Sequence, residues 1–383
     1  MTFADLWAEI APIGRTDRGY QRLTFTEPEL VLRDWFRNQA DRRDMTVTED
    51  GNGNLFAWRG EPWADGVVLT GSHFDSVPYG GGYDGPLGIV SAFLAVDRLP
   101  ARRNVAVAAF GEEEGGRFGL PCLGSRLLTG AIDPARAAAL CDRDGISFRD
   151  ALGYAPTGRH DLTNVRAVVE LHIEQGRALD VPVGVASAIW PHGRWRFDFR
   201  GDADHAGTTR MADRRDPMLT YAYTVLAANK EARLAGAHAT MGRVAVEPNA
   251  TNAIPSLVRG WLDARAADGS TLDGLVDAIV KRATDRAGRD GTEVSVEPES
   301  VTGEVAFDTT LAQRLSALLG QAPILPTGAG HDAGVLSAHA PTAMLFVRNP
   351  TGVSHSPAEH ATDADCEAGV DALATVLLEL TSA

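Results

Sequence analysis

Three short apolar runs constrain this chain more than any other feature: GVVLTG (66–71), NVAVAAFG (104–111) and VRAVVELHI (165–173). Each has the length of a strand rather than of an ordinary helix, and each is apolar on both faces, the pattern of a strand buried inside a parallel sheet. Each also stops beside residues that carry chemistry. His73 and Asp75 follow the first, Glu112, Glu113 and Glu114 follow the second, and His172 and Glu174 close the third. Between the first two runs, LGIVSAFLAVDRL (87–99) has apolar residues at helical spacing. Strands alternating with helices imply βαβ units, and in such sheets ligands bind beyond the carboxyl ends of the strands. Separate strands would thus deliver His, Asp and Glu to one edge.

The texture changes from about residue 193. RWRFDFRG (194–201), VRGWLDAR (258–265) and TEVSVEP (292–298) alternate or nearly so, as half-solvated antiparallel strands do. DPMLTYAYTVLAANKEARL (216–234) and STLDGLVDAIVKRATDRAG (270–288) read as helices, with Ser270 expected as the N-cap of the second. Buried-type elements return at 311–320, 341–348 and 363–381. The expected fold is α/β: a discontinuous catalytic domain (1–190 and 302–383) with a mostly parallel mixed sheet flanked by helices. An α+β domain (191–301), two helices on a four-stranded antiparallel sheet, is inserted in it.

Composition narrows the function. The chain has 383 residues, 44% of them hydrophobic, which is enough for two cores. A formal charge of −15 argues against nucleic acid and anionic membranes as partners. An anionic substrate would then need a locally positive site, from bound metal or a placed arginine. Cys122, Cys141 and Cys366 are far apart and form no CxxC pair, against a thiolate zinc site and in keeping with a reducing compartment. The opening MTFADLWAEIAPIGRTDRGY lacks an apolar targeting core, and no apolar run reaches membrane-spanning length. A cytoplasmic protein is expected.

The segment GSHFDSVPYGGGYDGPLGIV (71–90) places His73, Asp75 and Asp84 about three consecutive glycines, while GAGHDAG (328–334) and GVSHSPAEH (352–360) add His331 and His355. Imidazole and carboxylate without thiolate suit Zn²⁺, Mn²⁺, Co²⁺ or Ni²⁺. A carboxylate shared by two such ions would hold them about 3.5–4 Å apart. Of neighbouring glutamates, one can ligate while another, left free, takes a proton from water. Asp75 is expected to accept the second ring N–H of His73 and fix its tautomer.

GSHFDSVPYGGGYDG, GEEEGGRFGLPCLGSRLLTG, ELHIEQG, HAGTTRM, NATNAIP, GAGHDA and SHSPAEH occur in this order. Together they resemble the motifs of the dinuclear-metal M20 amidohydrolases, nearest the branch of N-carbamoyl-L-amino-acid hydrolases, allantoate amidohydrolases and β-ureidopropionases. The resemblance implies a pair of divalent ions per subunit, with His73, Asp84 and His172 on one, Glu114 and His355 on the other, and Asp84 bridging. Glu113 would be the general base. Three glutamates stand here where relatives often read DEEG, so a slip of one residue would instead make Glu112 the base and Glu113 the ligand. By the same resemblance His205 polarises the scissile carbonyl or its oxyanion, from its own or a partner subunit, and Gln175, Asn252, Arg265 and His331 bind substrate. Arg265 would grip a carboxylate bidentately. Arg210 replaces a proline that relatives often carry, which bears on the loop that places His205. The inserted domain is implied to serve as lid and as the interface of a homodimer. The implied reaction is hydrolysis of a linear ureido or carbamoyl C–N bond in a small carboxylate such as allantoate or an N-carbamoyl-L-amino acid. An N-formyl or other N-acyl amino acid (N-formylglutamate, for example) and a dipeptidase or aminoacylase activity are the alternatives.

Overall fold

The three apolar runs form neighbouring strands. Val67–His73 runs parallel to Val105–Phe110 on one side and to Val165–Ile173 on the other, and Thr342–Val347 continues the parallel order beyond Val165–Ile173. These four are the centre of a nine-stranded sheet in a computed structural model that describes residues 1–101 and 103–382. Leu55–Arg59 and Thr46–Glu49 extend it antiparallel on one flank, and Val183–Ile189 pairs antiparallel with Thr342–Val347 on the other. Helices cover both faces. Successive strand residues point to opposite faces, so Val68 and Leu171 join one cluster with Phe36, Phe93, Val347 and Leu373, while Leu69 and Val168 join another with Phe56, Trp58 and Leu128. Full burial of each such side chain contributes roughly 1.5–3 kcal/mol. The expected helix at 87–99 is Pro86–Asp97, buried from Pro86 through Val96, as a helix apolar on every face must be.

The chain divides into two compact units, Met1–Ile189 with Ala306–Ala383 as one and Trp190–Val305 as the other. The second unit is a four-stranded antiparallel sheet in the order His238–Glu247, Leu257–Arg265, His192–Arg200, Glu293–Thr302, with helices Pro217–Ala235 and Gly269–Asp290. Trp195, Phe197 and Phe199 from one strand face pack with Val258, Leu262, Leu275 and Ile279 as its core. The N-cap of the second helix is Asp268, not Ser270: Asp268 Oδ1 accepts the Thr271 N–H at 2.9 Å, and Ser270 donates its hydroxyl to the same oxygen at 2.6 Å. A carboxylate can accept both bonds at once and also suits the positive end of the helix dipole. No helix among the described residues is long and apolar enough to cross a membrane.

Candidate metal centre

Four parallel strands end on one edge, and their register sets the site. Gly71 lies opposite Glu170, so two residues further along His73 and His172 come side by side, with ring centroids 5.8 Å apart. The close approach beneath them needs a residue without a side chain: a Cβ on Gly71, whose φ is 142°, would lie 1.9 Å from the Ala108 carbonyl oxygen. Glu112 to Glu114 follow Val105–Phe110, and the loop after Thr342–Val347 carries His355.

Each buried histidine presents the same nitrogen. His73 Nδ1 is 2.9 Å from the Asp75 carbonyl oxygen and His172 Nδ1 is 2.8 Å from that of Ile173. A carbonyl only accepts, so each Nδ1 carries a proton, and in the neutral ring each Nε2 is the nitrogen left with a lone pair. Those Nε2 atoms face one carboxylate oxygen, Asp84 Oδ1, at 3.6 Å and 3.1 Å. The other oxygen, Asp84 Oδ2, lies 3.4 Å from His355 Nε2, which is itself 3.2 Å from Glu114 Oε2. Asp84 therefore stands between a His73–His172 group and a Glu114–His355 group, each compact enough to hold a metal ion.

The electrostatics fit a cation. Burial works against a charge on His73, but Glu113, Asp75 and Asp84 outweigh it and hold its pKa well above the ordinary imidazole range. Burial likewise opposes charge on His355, yet Glu114 and Asp84 push it up to about 9. Burial alone would raise the Asp84 pKa, and the imidazoles of His172 and His73 close against it, with His355 nearby, instead draw it well below the usual carboxylate range. Protons drawn onto imidazoles by surrounding carboxylates mark a place that stabilises positive charge. His73 Nε2, His172 Nε2 and Glu114 Oε1 are buried without a hydrogen-bond partner, a costly state for polar atoms unless a ligand meets them. Oxygen and imidazole donors in this number suit a divalent transition ion.

The three glutamates have different surroundings. Glu112 Oε1 accepts the N–H groups of Arg117 (2.9 Å) and Phe118 (2.5 Å) and so closes its own loop. Glu113 Oε2 lies 3.8 Å from His73 Nε2, and Cys122 Sγ donates toward Glu113 Oε1 at 3.7 Å. Burial pushes the Glu113 carboxyl well above its ordinary range. Glu114 faces His355. The expectation for Asp75 is corrected here. Its carboxylate sits 3.6 Å from His73 Nδ1, beyond hydrogen-bond reach, and accepts the main-chain N–H groups of Glu113 (3.1 Å) and Glu114 (3.0 Å). The main-chain carbonyl of Asp75 orients His73, while its side chain holds the glutamate loop against that histidine.

Gln175 donates to Asp84 Oδ2 at 2.9 Å, and the His331 ring packs edge-on against His172 with centroids 4.5 Å apart. Sequence reasoning passed over the residues behind them. Glu170 accepts the Ser72 hydroxyl and the Ala333 N–H, Ser125 donates to Asp332, and Glu359 holds the Asp84 loop. Their signal was an acid inside an otherwise apolar or Gly-rich segment, as with Glu170 in VVELHI.

The remaining predicted residues lie in the second unit. Asp204–His205 pairs antiparallel with Ala253–Ile254, which brings His205 beside Asn252, whose carbonyl accepts the Ala206 N–H at 3.0 Å. His205 Nδ1 accepts N–H groups from Gly207 (3.0 Å) and Thr208 (3.1 Å), so its Nε2 carries the ring proton and can donate. Arg210 pairs with Asp213, whereas Arg214 secures the HAGTT turn through the carbonyls of Ala206 and Thr209. Arg265 is engaged with Asp263 at 2.9 Å.

Residues 69–379 match peptidase family M20/M25/M40. The chain belongs to this family. An N-carbamoyl-L-amino acid amidohydrolase of Geobacillus stearothermophilus is 35% identical over 96% of both chains. The allantoate amidohydrolase of Escherichia coli K12 is 32% identical over 94% of this chain and 93% of its own. Among solved structures, an amidase of the hydantoinase/carbamoylase family from Burkholderia vietnamiensis superposes with a TM-score of 0.91 at 31% identity, covering 99% of this chain and 96% of that one. The M20 resemblance and the α/β architecture with a separate four-stranded antiparallel sheet thus agree with these relatives.

Proposed function

We propose that this M20 chain is a metal-dependent hydrolase that cleaves a ureido or carbamoyl C–N bond in a small carboxylate, allantoate or an N-carbamoyl-L-amino acid. The observation that carries the proposal is Asp84, one carboxylate facing His73 and His172 with one oxygen and His355 with the other. The names of the relatives support the choice of bond. His73, Asp84 and His172 would hold one ion, and Asp84, Glu114 and His355 a second, with Zn²⁺, Mn²⁺, Co²⁺ and Ni²⁺ all compatible with the donors. When bound, the ions supply Lewis acidity for a water nucleophile and for the scissile carbonyl.

Glu113 is proposed as the base, since Glu112 is taken up by loop amides and Glu114 faces His355. Glu113 would remove a proton from the attacking water and return it to the leaving nitrogen. Its raised pKa suits such a shuttle, and the Cys122 thiol beside it is a neutral donor, because burial pushes its pKa well up. His205, with a donating Nε2, is proposed to stabilise the oxyanion, and Asn252, Arg265, Gln175 and His331 to hold the substrate. For Arg265 that requires exchanging Asp263 for the substrate carboxylate. The lid and homodimer roles of the 191–301 segment are part of the same proposal.

A panel of allantoate, N-carbamoyl-, N-formyl- and N-acetyl-amino acids and dipeptides, each with added Mn²⁺, tests the bond. Ammonia from the ureido and carbamoyl compounds is expected. Turnover of dipeptides or acyl amino acids without ammonia would place the chain with the peptidases or aminoacylases instead.

A further inference from the structure

Glu359 lies four residues after His355 and is 5% exposed. Its Oε1 accepts the main-chain N–H groups of Tyr83 and Asp84, both at 2.9 Å, and its Oε2 accepts the Ser354 hydroxyl at 3.0 Å. One carboxylate thus joins the loop that ends in Asp84 to the loop that carries His355. A second observation shows that the sequence makes room for it. A Cβ on Gly81 would lie 2.2 Å from Glu359 Oε1 and 2.3 Å from its Cδ. Gly81 does not have a positive φ, so the glycine is required there for space and not for backbone conformation. At the same loop, the buried guanidinium of Arg22 donates to the carbonyls of Ile10, Ile13 and Gly82. The Gly80–Asp84 segment is therefore gripped through its amides by an acid and through a carbonyl by a base.

We propose that Glu359, seated on Gly81, is a positioning residue that braces Asp84 against the His355 loop, so that one carboxylate can serve both ion positions at once. It is not a ligand, since both its oxygens are occupied by loop N–H and O–H donors. The inference rests on the metal-centre reading above. Without the brace, the Asp84 loop and the His355 loop would lose their link through the Tyr83 and Asp84 amides, and more of their ordering would have to come from metal binding itself.

The test strips wild type, E359A, E359Q and G81A of metal and measures Mn²⁺ affinity by competition with a chelator, alongside the melting temperature and the KM of each reloaded protein. E359A and G81A are expected to weaken Mn²⁺ binding by roughly 10–100-fold, the usual effect of losing a group that orients a ligand. E359Q keeps an oxygen that can accept both amides, so its loss is smaller but measurable, and it decides the matter should E359A fail to fold. KM at saturating Mn²⁺ stays close to wild type in all three. Wild-type Mn²⁺ affinity in G81A and E359Q would overturn the proposal, as would a loss of affinity that only follows a fall in melting temperature. A wild-type protein that binds no Mn²⁺ would instead remove the metal-centre reading on which it rests.

Discussion

At the scale of the residue, the site is built by giving like side chains unlike environments. Glu112, Glu113 and Glu114 are consecutive, yet one closes its loop, one is buried beside His73 and one meets His355. The division predicts a clean separation of function. E113Q keeps the shape of the side chain and replaces no member of a proposed ligand set, so it should retain bound metal while kcat falls by about 10²–10⁴, the range for loss of a general acid–base group. Metal content and kcat measured on the same sample check this. E112Q should instead act through loop order. The ligand-type residues were legible in the sequence because His73, Glu112–Glu114 and His172 interrupt or follow apolar strands where acids and histidines have no structural reason to be. The role of Asp75 was misread. Sequence spacing shows that a carboxylate is near His73, but which of its groups, main chain or side chain, reaches the ring depends on backbone path. Glu359 was invisible for a related reason, as the Tyr83 and Asp84 amides it holds lie some 275 residues earlier in the chain.

At the scale of the element, continuous burial was the readable signal. Val67–His73, Val105–Phe110 and Val165–Ile173 are buried almost throughout, and their apolar runs located them to within two residues at either end. His238–Glu247 shows the limit. It is an edge strand, largely exposed, with a register irregularity between Met241 and Arg243, so neither an apolar run nor clean alternation marks it. The central strands also carry a cost for the tightness that aligns His73 with His172. G71A would drive a Cβ into the Ala108 carbonyl and impose an unfavourable φ. It is expected to lower stability by about 1–3 kcal/mol or more. Urea unfolding measures this, as a drop in midpoint without a change in slope.

At the scale of the whole molecule, chemistry and chain order are decoupled. The proposed ligands span residues 73 to 355, and four parallel strands bring them to one edge. The ordered motifs made the family legible, because each sits at a strand end or in a loop that the fold needs in that place. The arrangement about Asp84 was legible only through the family resemblance and not from the residues alone, because it depends on strand register and on a brace from the distant SHSPAEH segment. Asp84 is proposed to join two ion positions required for ureido or carbamoyl hydrolysis. The most direct test follows ammonia release from the best substrate of the panel while metal-free protein is titrated with Mn²⁺ and bound ions per chain are counted. Negligible release is expected from the metal-free chain, maximal release at two ions per chain, and no recovery in D84N. Full activity in the metal-free chain, or in D84N, would contradict the proposal.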